Sequence, residues 1–313
     1  MTEARPLDLA APGSDLDDGI YLVKHGRITV PVKYRRGTGD IAVVIFHGAV
    51  DQKKRRIPWF QASFPGLENC HQFAIADPTL SLDPALEASW YIGGAGIPLQ
   101  AELPALLQAL FSLAGIRRRI YLGGSSGGFA ALYYALVDQG SLCIAVNPQT
   151  NLNLYSTRVT SNYLRLAWPG AKSLDEIASQ AVIDLPAAYA RGFRNMVIYL
   201  QSAGDSRHFG IQMPPFLQAA VKKPENFILN CGYWGVSGHS NSIPSRDYYP
   251  WVKAVVAAPW FDRQAILDTY HALTAKAVPA TRTPSSSGKV AAQGDSHLAD
   301  LLRDYHLRQP TED

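Results

Sequence analysis

Residues 119–132 read RIYLGGSSGGFAAL, and the fold follows from how this stretch has to bend. Ile120, Tyr121 and Leu122 form a short apolar run into Gly123, Gly124, Ser125, Ser126, Gly127 and Gly128, and Phe129 to Leu136 leaves that knot with helix-forming residues. The pattern predicts a strand, a sharp turn and a helix. The spacing G-x-S-x-G occurs in it twice, as Gly123-x-Ser125-x-Gly127 and as Gly124-x-Ser126-x-Gly128. In either register the serine sits on a strained turn, where a flanking side chain would collide with the neighbouring backbone. With the turn at Ser125, Gly127 and Gly128 fall where the helix packs closest to the strand. With the turn at Ser126, bulky Phe129 takes that tight position. Packing therefore favours Ser125 as a candidate nucleophile and keeps Ser126 as the alternative. The stretch matches neither G-x-G-x-x-G nor G-x-x-x-x-G-K-[ST], which argues against a nucleotide-binding turn.

Outward from this turn the chain alternates strand and helix. Ile41 to Phe46, IAVVIF, is a continuous apolar run, the pattern of a parallel strand covered on both faces. It ends in His47-Gly48-Ala49-Val50, and a loop here can offer the backbone amide of Ala49 as one oxyanion donor, the amide of Ser126 being the second. The His47 side chain is expected to bond backbone at the strand end and borders the pocket. Ile20 to Lys24 and Ile28 to Tyr34 alternate across His25-Gly26-Arg27, as in an antiparallel hairpin. Phe73 to Ala76 is a further strand, leading into Asp77-Pro78 and then Ser89-Trp90-Tyr91. Loops at the carboxyl ends of parallel strands bind ligands, so Asp77, Trp90 and Tyr91 are candidates for substrate contact. Asp77 before proline equally fits an Asx turn.

Pro98 to Leu113 has helical spacing, and Leu142 to Val146 is the next strand, ending in Asn147-Pro148-Gln149-Thr150. Residues 151–192 interrupt the alternation with helical segments, including the capping box Ser173-Leu174-Asp175-Glu176. Tyr155, Tyr163 and Trp168 there either line a pocket or pack the insertion. Met196 to Leu200 is strand again and runs into a loop carrying Asp205 and His208. Phe227 to Asn230 is the last strand, and His239 follows in a loop between Gly238 and Ser240. A serine hydroxyl is a poor nucleophile at neutral pH without a base, and the base needs an acid to orient it. Ser125, Asp205 and His239 supply these in chain order, with His208 as the nearest rival for a polar role in the site.

With those three residues in that order, the chain resembles the α/β-hydrolases over residues 20–260. More narrowly, GGSSGGFAAL, FHGAV, ADPTLSLD with SWYIGG, NPQT and QSAGDSRH resemble a bacterial group of these hydrolases encoded beside accessory-secretion and capsular-polysaccharide genes, some of them acting as glycan O-acyl esterases. The resemblance implies an α/β-hydrolase fold with a mostly parallel central sheet, helices on both faces and a small helical cap at 151–192. It implies a serine esterase acting on a small-molecule or glycan ester, for example an O-acetyl group, without cofactor or metal. The competing expectations are a non-catalytic accessory protein of polysaccharide or glycoprotein biosynthesis, and an acyltransferase using the same triad.

The 313 residues, 47% hydrophobic and 18% charged, suffice for one large α/β domain with appendages. A net charge of +3 is far from a nucleic-acid stripe, and Lys53-Lys54-Arg55-Arg56 reads as a solvated or site-rim loop. Residues 1–18, acidic and proline-containing, are expected to be a flexible leader without signal-peptide character. Residues 19–274 form the hydrolase domain and 275–295, rich in Ala, Pro, Thr, Ser and Gly, a linker. In 296–313 a short helix carries Leu298, Leu301, Leu302 and Tyr305 on one side, to dock on this domain or on a protein partner. No run reaches membrane-spanning length. Cys70, Cys143 and Cys231 lack a C-x-x-C pair and are expected to be buried, reduced thiols of a cytoplasmic protein.

Overall fold

The computed structural model describes residues 4–9 and 16–275, and the expected linker and C-terminal helix lie outside them. The strands in chain order are β1 (Arg5–Leu7), β2 (Gly19–His25), β3 (Ile28–Arg35), β4 (Ile41–Phe46), β5 (Cys70–Ile75), β6 (Arg118–Gly124), β7 (Leu142–Val146), β8 (Met196–Ser202) and β9 (Phe227–Gly232). The helices are α1 (Leu99–Leu113), α2 (Ser126–Val137), α3 (Thr157–Ala167), α4 (Leu174–Ile177), α5 (Leu185–Ala190), α6 (Met213–Ala220), α7 (Ser245–Ala257) and α8 (Arg263–Ala275). One sheet runs in the order β1-β2-β3-β5-β4-β6-β7-β8-β9. Only β3 breaks the parallel run, pairing antiparallel with β2 through the predicted hairpin and antiparallel with β5.

The apolar runs of the central strands are explained by two cores, one on each face. Ala42, Val44 and Phe46 of β4 join Tyr121 and Tyr199 beneath α1 and α2, whereas Ile41, Val43 and Ile45 join Ile120, Leu122, Ile144 and Ile198 beneath α7. A strand buried on both sides has no polar face to alternate with.

The insertion at 151–192 holds a short turn at Leu152–Leu154, then α3, α4 and α5. Ser173 caps α4 by accepting the Glu176 amide at 3.3 Å, and the Glu176 carboxylate reaches back to the Lys172 amide at 2.9 Å, one residue beyond the usual box. Tyr163 and Trp168 pack the insertion internally: Trp168 Nε1 donates to Tyr163 Oη at 2.8 Å, and that hydroxyl donates to Gly93 O at 2.8 Å.

Two expectations change. Residues 5–7, expected in a flexible leader, are a strand on the edge of the sheet, parallel to β2. Arg5 lies over the Tyr21 ring at 4.7 Å and donates to its hydroxyl at 2.8 Å, while Leu7 is buried. Three residues around a proline give no alternating signal, yet an edge strand tolerates the missing amide. Cys70 and Cys143 are buried, but Cys231 is exposed, because β9 is the last strand and turns Leu229 and Cys231 outward.

Candidate active site

Ser125 occupies the bend between β6 and α2 with φ 57° and ψ −120°, outside the conformations open to a relaxed non-glycine residue. Its backbone is tied on all sides: Ser125 N–H donates to Val146 O at 3.0 Å, and Ser125 O accepts from the amides of Gly128, Phe129 and Gln149 at 3.1, 3.2 and 3.1 Å. The flanking glycines are obligatory. A Cβ on Gly123 would run into the carbonyl of Gly127, and one on Gly127 would lie 2.5 Å from Phe46 O and 2.6 Å from His47 O. Gly124, the first glycine of the other register, leaves 3.5 Å to its nearest neighbour, ordinary contact. Ser126, 3% exposed, is the first residue of α2 rather than the turn.

Ser125 and His239 line one cleft of about 510 Å³, together with Gly48, Ala49, Asn147 and Trp59 among others. None of the residues lining it is Asp, Glu, Lys or Arg. His239 Nδ1 donates to Asp205 Oδ2 at 2.5 Å. The other carboxylate oxygen accepts His208 Nδ1–H at 3.0 Å and the His208 backbone amide at 3.3 Å. Burial would raise the Asp205 pKa, but the hydrogen bonds from His208 and His239 outweigh it and hold the carboxyl far below the usual range. Asp205 is therefore ionised at neutral pH. His208 is itself pushed below the ordinary histidine range by burial, against the opposing pull of Asp205.

The acid and base loops are fastened to each other and to the sheet. Gly238 N–H donates to Gly204 O at 2.8 Å. Asn147, held at φ 42° after β7, accepts the Ser202 amide at 2.7 Å and donates to Ser242 Oγ at 2.8 Å, and Ser242 donates to His239 O at 3.1 Å. Asn147 thus positions both loops.

His47 shapes the opposite wall. Asp77 N–H donates to His47 Nε2 at 3.3 Å, so the ring proton is on Nδ1 and is donated to Gly48 O at 2.7 Å. In a trans peptide the carbonyl and the following N–H point opposite ways. Holding Gly48 O against His47 therefore turns the Ala49 amide away from the ring. Among the described residues neither the Ala49 nor the Ser126 amide has a hydrogen-bond partner, the latter being one of the free amides of a helix start. Burial lowers the His47 pKa, more than the Gly48 hydrogen bond and the Asp77 charge raise it, which keeps the ring neutral in this role.

Among the described residues one group of His, Cys, Asp and Glu side chains is close enough to ligate a metal, Asp205, His208 and His239, with donor atoms within 4.8 Å. Both Asp205 oxygens are already taken by imidazole N–H groups, and the two rings stack on each other. The donor set fits a hydrogen-bonded cluster better than a metal centre.

No family model matches the sequence, and no curated protein matches it. Solved structures do resemble this one. The capsule O-acetyltransferase of Neisseria meningitidis serogroup A superposes with a TM-score of 0.55 at 17% identity, over 72% of this chain and 91% of that one. A variant of it in complex with CoA gives 0.55 at 15%, over 72% and 91%. The acylaminoacyl peptidase of Pyrococcus horikoshii gives 0.53 at 13% identity, over 78% of this chain and 41% of that one. The chain has the α/β-hydrolase fold.

On this α/β-hydrolase scaffold, the remaining pocket candidates turn inward. Asp77 accepts from Thr79 N–H at 3.0 Å, Ser89 Oγ at 2.7 Å and Tyr91 N–H at 2.8 Å, and it is 3% exposed. Tyr91 Oη donates to Ile75 O at 2.8 Å and accepts the His47 amide at 3.0 Å. Trp90, buried at φ 50°, donates from Nε1 to Gln149 Oε1. None of His47, Asp77, Trp90, Tyr91 and His208 lines the cleft. Trp90 and Tyr91 are drawn in because the Asp77 carboxylate folds its loop inward as an Asx turn does, whereas His208 is held by Asp205. Arg55 likewise holds the carbonyls of Leu80, Asp83 and Leu86, while Lys53, Lys54 and Arg56 are exposed. Gln149 carried no signal of its own in the sequence, yet its Nε2 donates to Ser125 Oγ at 2.9 Å.

Proposed function

We propose that the chain is a serine hydrolase of carboxylic esters. The observation that carries this reading is the strained turn at Ser125 sharing one cleft with His239, whose Nδ1 lies 2.5 Å from Asp205. Ser125 Oγ attacks the ester carbonyl as His239 Nε2 takes its proton, and Asp205 stays ionised and stabilises the imidazolium. The Ala49 and Ser126 amides receive the developing oxyanion. His239 then protonates the departing alcohol, and water repeats the sequence on the acyl-enzyme.

The uncharged lining favours a neutral ester at the reaction centre. Trp59, Phe64 and Tyr248 line the cleft together with Gln61, Asn241 and Ser240, and aromatic and polar groups in one cleft suit an O-acylated sugar, which offers apolar ring faces and hydroxyls together. A second reading, acyl transfer to a sugar hydroxyl, draws support from the likeness to a capsule O-acetyltransferase that has a CoA-bound form. It uses the same residues with an alcohol in place of water.

Labelling with a fluorophosphonate probe and peptide mapping tests the hydrolase reading. An adduct on Ser125 is expected; folded protein with no adduct on Ser125 or Ser126 rejects it and favours a non-catalytic binding role. Product analysis of an acylated sugar, with and without a second sugar as acceptor, separates hydrolysis from transfer. Among the described residues no helix is long and apolar enough to cross a membrane.

A further inference from the structure

We propose that Gln149 is a catalytic residue of this site, a hydrogen-bond donor to Ser125 Oγ that drives release of the acyl group from the enzyme. The proposal rests on the reading of Ser125 as nucleophile.

The direction of the bond is fixed by chemistry. Indole Nε1 can only donate, so Trp90 requires the oxygen of the Gln149 amide on its side. The amide nitrogen is then turned to Ser125 Oγ, 2.9 Å away. Little else can change. Gln149 and Trp90 are each 1% exposed, the Gln149 backbone amide donates to Ser125 O at 3.1 Å, and Trp90 is held in a left-handed conformation between Ser89 and Tyr91, both bonded to Asp77. A buried, oriented donor is thereby aimed at the oxygen that reacts.

Its effect differs along the reaction. In the free enzyme Oγ accepts from Gln149 with one lone pair and keeps the other, and its proton, for attack. In the acyl-enzyme Oγ is the bridging oxygen of an ester, a poor acceptor, so the buried Gln149 N–H loses its partner and the intermediate is destabilised. Deacylation reverses this. Water bonds to the acyl carbon and gives a proton to His239 Nε2; the carbon–Oγ bond then breaks, the pair returns to Oγ, and His239 delivers the proton to it as the acid leaves. As Oγ gains negative charge the Gln149 bond re-forms and strengthens. The residue thus keeps the acyl-enzyme short-lived.

The test uses Gln149→Leu and Gln149→Met in the full chain with p-nitrophenyl acetate, following the burst and the steady state and reading acyl-enzyme by intact mass. Gln149→Met keeps the length of the side chain and removes the donor without adding charge, so it reads the same effect if the leucine variant does not fold; Trp90→Phe, which frees the amide to turn, gives a smaller shift in the same direction. Expected is deacylation slowed about 10- to 100-fold with acylation changed by about threefold or less, so that acyl-enzyme accumulates. Equal loss in both steps, or no change in either, overturns the proposal. Failure of the wild type to form any fluorophosphonate adduct rejects the nucleophile reading itself, and this proposal with it; an adduct with an unshifted partition overturns Gln149 alone.

Discussion

The rings of His208 and His239 stack with centroids 4.1 Å apart and an angle of 16°, and both donate from Nδ1 to the one carboxylate of Asp205. A single negative charge cannot balance two imidazolium ions in contact, so one ring must stay neutral through the reaction. His208 is 2% exposed and its Nε2 has no partner among the described residues, which assigns it the neutral role. Its N–H draws charge from Asp205 and fixes the carboxylate plane that His239 reads.

This ranks the two histidines. His208→Phe keeps a ring to stack on and removes one donor, and it should lower kcat/KM for an ester by about tenfold. His239→Phe removes the base and should cost about 10³-fold or more. Kinetics on both folded variants decide; the reverse order would make His208 the base.

The two serines separate in the same way. Ser125→Ala removes the attacking oxygen and should leave at most the residual catalysis of the oxyanion hole, about 10³ to 10⁴ over water. Ser126→Ala keeps its amide and should cost about tenfold or less. Ser126→Pro deletes the donor at the first helical position and should cost about 10²-fold or more in kcat, with some loss of stability because a proline ring crowds the strained Ser125 before it. Circular dichroism and ester turnover check the set.

The glycines report on the turn independently of activity. Gly124→Ala should be accommodated, within about 1 kcal/mol, since its Cβ has 3.5 Å to the nearest atom and the residue is not at positive φ. Gly123→Ala drives a methyl into the Gly127 carbonyl and should cost about 3 kcal/mol or more, or prevent folding. Denaturant melts of the pair measure this, and a comparable loss in both would contradict the Ser125 turn.

Stability should depend on pH through the buried histidines. Burial holds His47, His71 and His208 below their ordinary values, so below about pH 6.5 the unfolded chain takes up protons that the native chain refuses. The melting temperature should therefore fall as pH drops from about 7 to 5. Asp205 adds a second decline below about pH 4, where the unfolded carboxyl is protonated while the native one resists. A melting temperature flat over both ranges would refute the buried neutral rings.

The sheet could be read from the sequence because strands covered on both faces are continuously apolar, as Ile41 to Phe46 and Leu142 to Val146 are. Asp205 and His239 were legible as an acid and a histidine in loops after strands, in the order serine, acid, base. Motif spacing could not choose between Ser125 and Ser126, since what distinguishes Gly123 from Gly124 is the backbone that crosses behind it. Trp90 and Tyr91 were read outward because their loop lies at the sheet's ligand-binding end, whereas Asp77 takes the Asx-turn role that its proline neighbour also suggested. Left-handed conformations at Trp90 and Tyr91, rare for such residues, turn them in, and no local pattern announces that. Gln149 was hidden because its partner Trp90 lies 59 positions away.

The His239 loop is suspended at two points, Gly238 on Gly204 and Ser242 on Asn147, and the residues between them include Ser240 and Asn241, which line the cleft. Ser242 and Asn147 line the cleft as well, so the bonds that moor the imidazole form part of its wall. Between the two moorings Ser240 is the position open to exchange, whereas Asn241, at φ 56°, occupies a left-handed conformation that few side chains adopt, so variation of this wall is confined to one residue.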